Sequence, residues 1–151
     1  MPERGMKQAI HSENSAHGTD EAPRILVVDD EAAILFAYRR MAERNGYTVD
    51  TCETLAEAVE YIKTRRYLAI ITDLRLTGTD TAEGFDVLAC VRDHQPHARV
   101  IVITGYGEEQ DTRAARALNA AFYFKKPLEP SVILEALRHI REDEMRRDTH
   151  E

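Results

Sequence analysis

Apolar residues fall into two alternating patterns along the chain: short unbroken runs, and longer stretches with helical spacing. The first run, Ile25-Leu26-Val27-Val28, is largely β-branched and lacks polar alternation. That predicts a strand covered on both faces, ending at Asp29-Asp30. Directly afterwards Ile34, Leu35, Tyr38, Met41 and Ala42 recur at helical spacing, and Asn45-Gly46 supplies a left-handed stop. The alternation then repeats. Tyr47 to Cys52 reads as extended, Thr54 to Arg65 as a helix with Leu55, Val59 and Ile62 on one face, and Leu68-Ala69-Ile70-Ile71 as another buried strand closed by Asp73.

Beyond a polar loop, Phe85, Leu88, Ala89 and Val91 mark a third helix that ends before Pro96. Val100 to Ile103 form a fourth strand ending at Thr104-Gly105. An alanine-rich stretch from about Glu108 to Leu118 has helix propensity but only a thin apolar stripe, so a loosely held helix is expected. Ala121 to Phe124 is a fifth short strand ending at Lys125-Lys126-Pro127, and Ile133, Leu134, Leu137 and Ile140 give the last helix a firm stripe. Five strand-helix units call for a parallel sheet with helices on both faces, a doubly wound α/β domain.

At 151 residues and 43% apolar, the chain can bury one core without disulfides or a structural metal. The domain is expected to span residues 24–142. Residues 1–23 are polar, with little apolar surface to offset ordering entropy, and read as a disordered tail. Residues 143–151 read as a short charged tail. A net charge of −7 with mixed signs argues against direct nucleic-acid binding. No run is long enough to insert into a membrane and the first residues lack a signal-peptide core, so a cytoplasmic protein is expected. Cys52 and Cys90 have no metal-ligand spacing and read as small buried hydrophobes; His94 and His97 lie near a helix end, against its last carbonyls or in water.

Ligands of open parallel sheets bind outside the carboxyl ends of the strands, which here carry Asp29, Asp30, Asp73, Thr104 and Lys126. Carboxylates gathered at one edge repel unless a hard divalent cation sits among them, and a few carboxylates plus water is how magnesium is held. A lysine and a threonine hydroxyl beside such a cation would hold the oxygens of a transferring phosphoryl group, with Asp73 as the attacking carboxylate. Singly these residues have plainer readings. Asp29-Asp30 could be a turn and helix cap, Thr104-Gly105 a turn, and Lys126 a solvated lysine. Their conjunction at the ends of strands one, three, four and five is the stronger signal.

Through Val27-Val28-Asp29-Asp30-Glu31, Thr72-Asp73-Leu74, Ile103-Thr104-Gly105 and Lys126-Pro127, the chain resembles receiver domains of two-component response regulators, over roughly Arg24 to Arg141. The resemblance implies a flavodoxin-like, five-stranded sheet in the order 2-1-3-4-5 and a single-domain response regulator, a phosphoacceptor module rather than a conventional enzyme. It implies that Asp29, Asp30, Asp73 and the backbone carbonyl of Arg75 bind Mg2+. Asp73 would accept phosphate from a histidine kinase or histidine phosphotransfer protein, with Thr104 contacting it and Lys126 pairing with it. Lys126 is preferred to Lys125 because it adjoins Pro127, in a bond that is commonly cis in the family. Tyr123 matches an aromatic switch position. The fourth helix, fifth strand and fifth helix would form the face presented to a downstream protein partner or to a second copy in a homodimer.

Two departures stand out: Leu76-Thr77 replace the usual methionine and proline, and Gly78 to Glu83 make the loop about three residues longer than usual, a small cost in closure entropy. Arg75 and Tyr106 occupy positions that tune access of hydrolysing water, and their bulk points to slow self-dephosphorylation. Three alternatives remain open. One is a phosphorylation-independent receiver-like scaffold. Another is a Mg2+-dependent phosphohydrolase of the haloacid-dehalogenase type, which wants Asp-x-Asp after its first strand and a cap domain. The last is a flavodoxin-like cofactor carrier, whose phosphate loop needs glycine, serine or threonine where Asp29-Asp30 stand.

Overall fold

The computed structural model describes residues 21–74, 82–105 and 109–149. Five strands, β1 (Arg24–Val28), β2 (Thr48–Cys52), β3 (Ala69–Asp73), β4 (Arg99–Thr104) and β5 (Ala120–Lys125), alternate with α1 (Ala32–Arg44), α2 (Leu55–Thr64), α3 (Ala82–His94), α4 (Glu109–Ala117) and α5 (Pro130–Thr149). All strand pairs are parallel and the order is β2-β1-β3-β4-β5. The chain reverses its direction of growth between β1 and β3, which leaves a crevice at their carboxyl ends.

The unbroken apolar runs form the three inner strands because both faces of the sheet are covered. Ile25 to Val28 are at most 1% exposed. Successive side chains point to opposite faces, so the sheet builds two cores. Leu26, Val28, Ile70, Val100 and Val102 pack with Ala58 and Ile62 of α2, Leu88 and Val91 of α3 and Ala115 of α4. On the other face Ile25, Val27, Ile71, Ile101 and Ile103 pack with Leu35, Tyr38 and Ala42 of α1 and Ile133, Leu137 and Ile140 of α5. Each fully buried aliphatic side chain contributes about 1.5 to 3 kcal/mol.

Local chemistry sets the helix ends. Gly46 adopts φ +94° after α1, and Thr54 caps α2 by accepting a hydrogen bond from the Glu57 amide at 3.2 Å. Helix α5 runs past its apolar stripe, so residues 143–149, expected as a tail, are helical. Extending a formed helix needs no new nucleus. Arg146 pairs with Asp143 and Arg147 with Glu144 one turn apart, and Arg99 of β4 pairs with Asp143.

Two polar clusters brace the end of the sheet where the strands begin. The Gln95 side chain accepts a hydrogen bond from the Tyr67 amide at 2.9 Å and donates to the carbonyls of Ile62 and Arg65, both at 2.7 Å. It thereby ties the end of α3 to the segment between α2 and β3. Asp50 of β2 accepts from Arg24 at 3.1 Å and from the Tyr67 hydroxyl at 2.8 Å, and pairs with Arg65 at 2.9 Å. Burial alone would raise its pKa; the hydrogen bonds from Tyr67, Arg65 and Arg24 outweigh that and hold it below the ordinary aspartate value.

Gln95→Ala removes the partner of three backbone groups, two buried and one part-buried, and is expected to cost about 2 to 4 kcal/mol in urea unfolding. A cost within about 0.5 kcal/mol of an exposed α3 substitution such as Arg92→Ala would refute the bracing role. Because the folded-state pKa of Asp50 is depressed, its contribution is fully present above the unfolded pKa of about 3.9 and is lost as pH falls through the folded value. Asp50→Asn should therefore flatten the acid limb of the stability-pH curve. An unchanged limb would show that the cluster does not bias protonation.

Candidate functional site

Asp29 follows β1 directly. Its amide donates to the Cys52 carbonyl at 3.2 Å, continuing the pairing with β2, and its Oδ1 accepts from the Glu31 amide at 2.9 Å. Asp73 is the last residue of β3 and Thr104 the last of β4, 7% and 1% exposed. The Lys126 amide donates to the Thr104 carbonyl at 2.9 Å, so pairing with β4 continues one residue past β5. The Lys126-Pro127 bond is cis.

The Lys126 side chain reaches across the end of β4 to β3 and β1. Its Nζ donates to Asp73 Oδ2 at 2.8 Å, and lies 3.6 Å from Asp29 Oδ2 and 3.9 Å from Glu31 Oε1. Burial alone would lower the ammonium's pKa. The Asp73 hydrogen bond and the charges of Asp29, Asp73 and Glu31 outweigh it and push the pKa above the ordinary lysine value. Asp29 moves up, chiefly through burial, against the pull of the Glu31 amide and Lys126 and with the push of Asp73 and Asp30. The site thus holds more negative charge than one lysine neutralises.

Helix α3 begins against the same strand end. The Gly84 amide donates to the Leu74 carbonyl at 3.0 Å, and a Cβ at position 84 would lie 2.7 Å from that oxygen and 2.9 Å from the Asp73 carbonyl. No side chain other than hydrogen fits.

The sequence matches the response regulator receiver domain family over residues 25–138. The chain belongs to that family. It is 36% identical over 113 residues to the acid tolerance regulatory protein ActR of Rhizobium meliloti, covering 75% of this chain and 57% of that one. It is 32% identical over 120 residues to the photosynthetic apparatus regulatory protein RegA of Rhodobacter capsulatus, covering 80% and 62%. The chain thus spans about three fifths of the length of these relatives. A receiver domain from Methanospirillum hungatei superposes with a TM-score of 0.77 at 27% identity, covering 83% of this chain and 99% of that one. A Burkholderia pseudomallei response regulator, solved with a phosphorylated aspartic acid, calcium ion and citrate, gives 0.70 at 30% identity, covering 85% and 74%.

Receiver domains bind Mg2+ in general, and the donors here suit a hard cation: two buried carboxylates, Asp29 and Asp73, with exposed Asp30 beside them. Among the described residues, no three acidic, histidine or cysteine side chains close into a metal cluster, since the ammonium of Lys126 stands between Asp73 and Asp29. Of the three carboxylates expected together, Asp29 and Asp73 lie around the lysine and Asp30 is exposed beside them. Thr104 lies buried at the same edge, and half-buried Tyr123 packs against the core beneath α2, α3 and α4. Arg75, Leu76, Thr77, the loop from Gly78 to Thr81, and Tyr106 lie outside the described residues.

Both cysteines are buried, and burial pushes the Cys52 thiol up to about 12, as suits inert core residues. His94 Nδ1 sits 3.0 Å from the Cys90 carbonyl in the last turn of α3. Two site residues had gone without a role in the sequence. Glu31 occupies the N-cap of α1, where glutamate is a poor cap, and that misfit was the available signal. Gly84 opens a helix at a position where no turn requires glycine, so only a close approach explains it.

Gly84→Ala is expected to push α3 away from Asp73 and Leu74 and to cost about 1 to 3 kcal/mol in urea unfolding. Amide shifts should move at Asp73 and Leu74. Unchanged stability together with unchanged shifts would show that the close approach constrains nothing.

Proposed function

We propose that this receiver domain takes a phosphoryl group onto Asp73 from the phosphohistidine of a histidine kinase or histidine phosphotransfer protein, and that the acylphosphate switches binding of a downstream protein. The observation that carries this reading is the Lys126 ammonium 2.8 Å from Asp73 and 3.6 Å from Asp29, at the crevice between the ends of β1 and β3.

In the transfer, a carboxylate oxygen of Asp73 forms the new bond to phosphorus while the bond from phosphorus to the donor imidazole breaks, its electron pair remaining on nitrogen. Mg2+ bound by Asp29, Asp30, Asp73 and the Arg75 carbonyl would supply positive charge for the phosphoryl oxygens. Lys126 exchanges its hydrogen bond to the carboxylate for one to a phosphoryl oxygen, which keeps its charge paired throughout. Thr104, at the end of β4, donates its hydroxyl to another phosphoryl oxygen. Burial of Asp29 and Asp73 restricts water around the reacting centre.

The switch is a shift between two populations of one fold. Thr104 moves toward the phosphoryl group and Tyr123 follows inward. The output face is α4, β5 and α5. There Phe122 and Phe124 stack at 5.8 Å, His139 meets Phe122 edge-on, and a shallow depression of about 300 Å³ lies between Phe122, Phe124, Val132, Ala136 and His139. Such a surface suits an apolar side chain of a protein partner or of a second copy. No helix among the described residues is long and apolar enough to cross a membrane, and a phosphohistidine donor made from ATP places the exchange in the cytoplasm.

Incubation with Mg2+ and acetyl phosphate is expected to add one phosphoryl group to the wild type by intact mass and none to Asp73→Asn. Equal labelling of the two proteins would remove Asp73 from this role.

A further inference from the structure

Glu31 stands at the N-cap of α1 but makes no capping hydrogen bond with its side chain. Its amide is held by Asp29 Oδ1 at 2.9 Å, and its carboxylate turns to Lys126 at 3.9 Å while its side chain stays 65% exposed. The same ammonium is hydrogen-bonded to Asp73 at 2.8 Å. An ion pair this long and exposed contributes little to stability, so the fold does not require this side chain. Its charge is another matter. Asp29 and Asp73 already flank one lysine, exposed Asp30 stands beside them, and Glu31 adds a further negative charge at the exposed rim of the crevice.

We propose that Glu31 is a specificity-determining residue for the phosphoryl donor, disfavouring small donors that arrive as full dianions relative to donors carrying less negative charge. The inference rests on Asp73 being the acceptor. Acetyl phosphate at neutral pH is a dianion: the Asp73 oxygen bonds to phosphorus, the bond from phosphorus to the acetyl oxygen breaks, and acetate leaves with the electron pair. Phosphoramidate is a zwitterion of net charge −1: the same bond forms, the bond from phosphorus to nitrogen breaks, and ammonia leaves with the pair. Both reactions balance without a further reactant and differ in the charge that must pass Glu31. A phosphohistidine donor brings its phosphoryl group on an imidazole inside a docked protein, whose contacts outweigh one rim charge.

The test compares wild type, Glu31→Gln and Glu31→Asp at saturating Mg2+ and fixed ionic strength, measuring labelling rate against concentration for both donors. Glu31→Gln is expected to raise the second-order rate with acetyl phosphate about three- to tenfold, and that with phosphoramidate less than about twofold, the gap shrinking as salt screens the charge. Glu31→Asp, which keeps the charge, should restore the wild-type ratio. A separate titration with inorganic phosphate, read by amide shifts at the ends of β1 and β5, should show binding about threefold tighter in Glu31→Gln. An unchanged ratio between donors, or an equal change in both, overturns the proposal, because a merely structural role would move both rates together. If neither donor labels the wild type, the acceptor assignment fails instead. The phosphate titration then still decides the charge effect of Glu31: unchanged binding overturns it and tighter binding supports it.

Discussion

A buried carboxylate needs a counter-charge, and at the end of β3 the Lys126 ammonium supplies it from two strands away. Asp73 is almost wholly buried, as is Asp29 beside it, so without that lysine two carboxylates would share one dry crevice. The rest of the architecture makes the contact reachable. Parallel strands place β1, β3, β4 and β5 with their carboxyl ends along one edge, and the order β2-β1-β3-β4-β5 puts Thr104 under the path of the lysine. The hydrogen bond from the Lys126 amide to the Thr104 carbonyl fixes where that side chain starts. A pairing lysine can exchange its partner in the proposed phosphoryl transfer.

The same strand end is where the chemistry meets the helices. Gly84 seats α3 directly on the backbone of Asp73 and Leu74, and Gln95 at the far end of α3 is locked to the segment between α2 and β3. Helix α3 is therefore held at both ends. Within the described side chains of α4, Ala115 is the buried residue, which suits an element that moves easily against the sheet.

The strands were legible in the sequence because burial on both faces turns them into unbroken apolar runs, as Ile25 to Val28 show. Asp29, Asp73, Thr104 and Lys126 were legible because each stands where such a run stops. What escaped was set by side-chain direction or distant partners. The three hydrogen bonds of Gln95 join residues some thirty positions apart along the chain, and nothing local distinguishes that glutamine from a solvated one. Asp50 sits in β2 like any polar edge residue until Arg24, Arg65 and Tyr67 converge on it. The end of α5 lacks an apolar stripe and is braced by charge pairs, so periodicity alone cut it short. The lysine between the carboxylates was the largest departure, since spacing along a chain places residues at one edge without saying which of them touch.

The measurement that bears most directly on this account is a crystal structure with Mg2+ and beryllofluoride, a stable mimic of the acylphosphate. Beryllium is expected bonded to a carboxylate oxygen of Asp73, with Lys126 Nζ moved onto a fluorine and the cation against Asp29 or Asp30. Beryllofluoride bound elsewhere, or Lys126 still paired with Asp73 Oδ2 in the presence of the mimic, would contradict it.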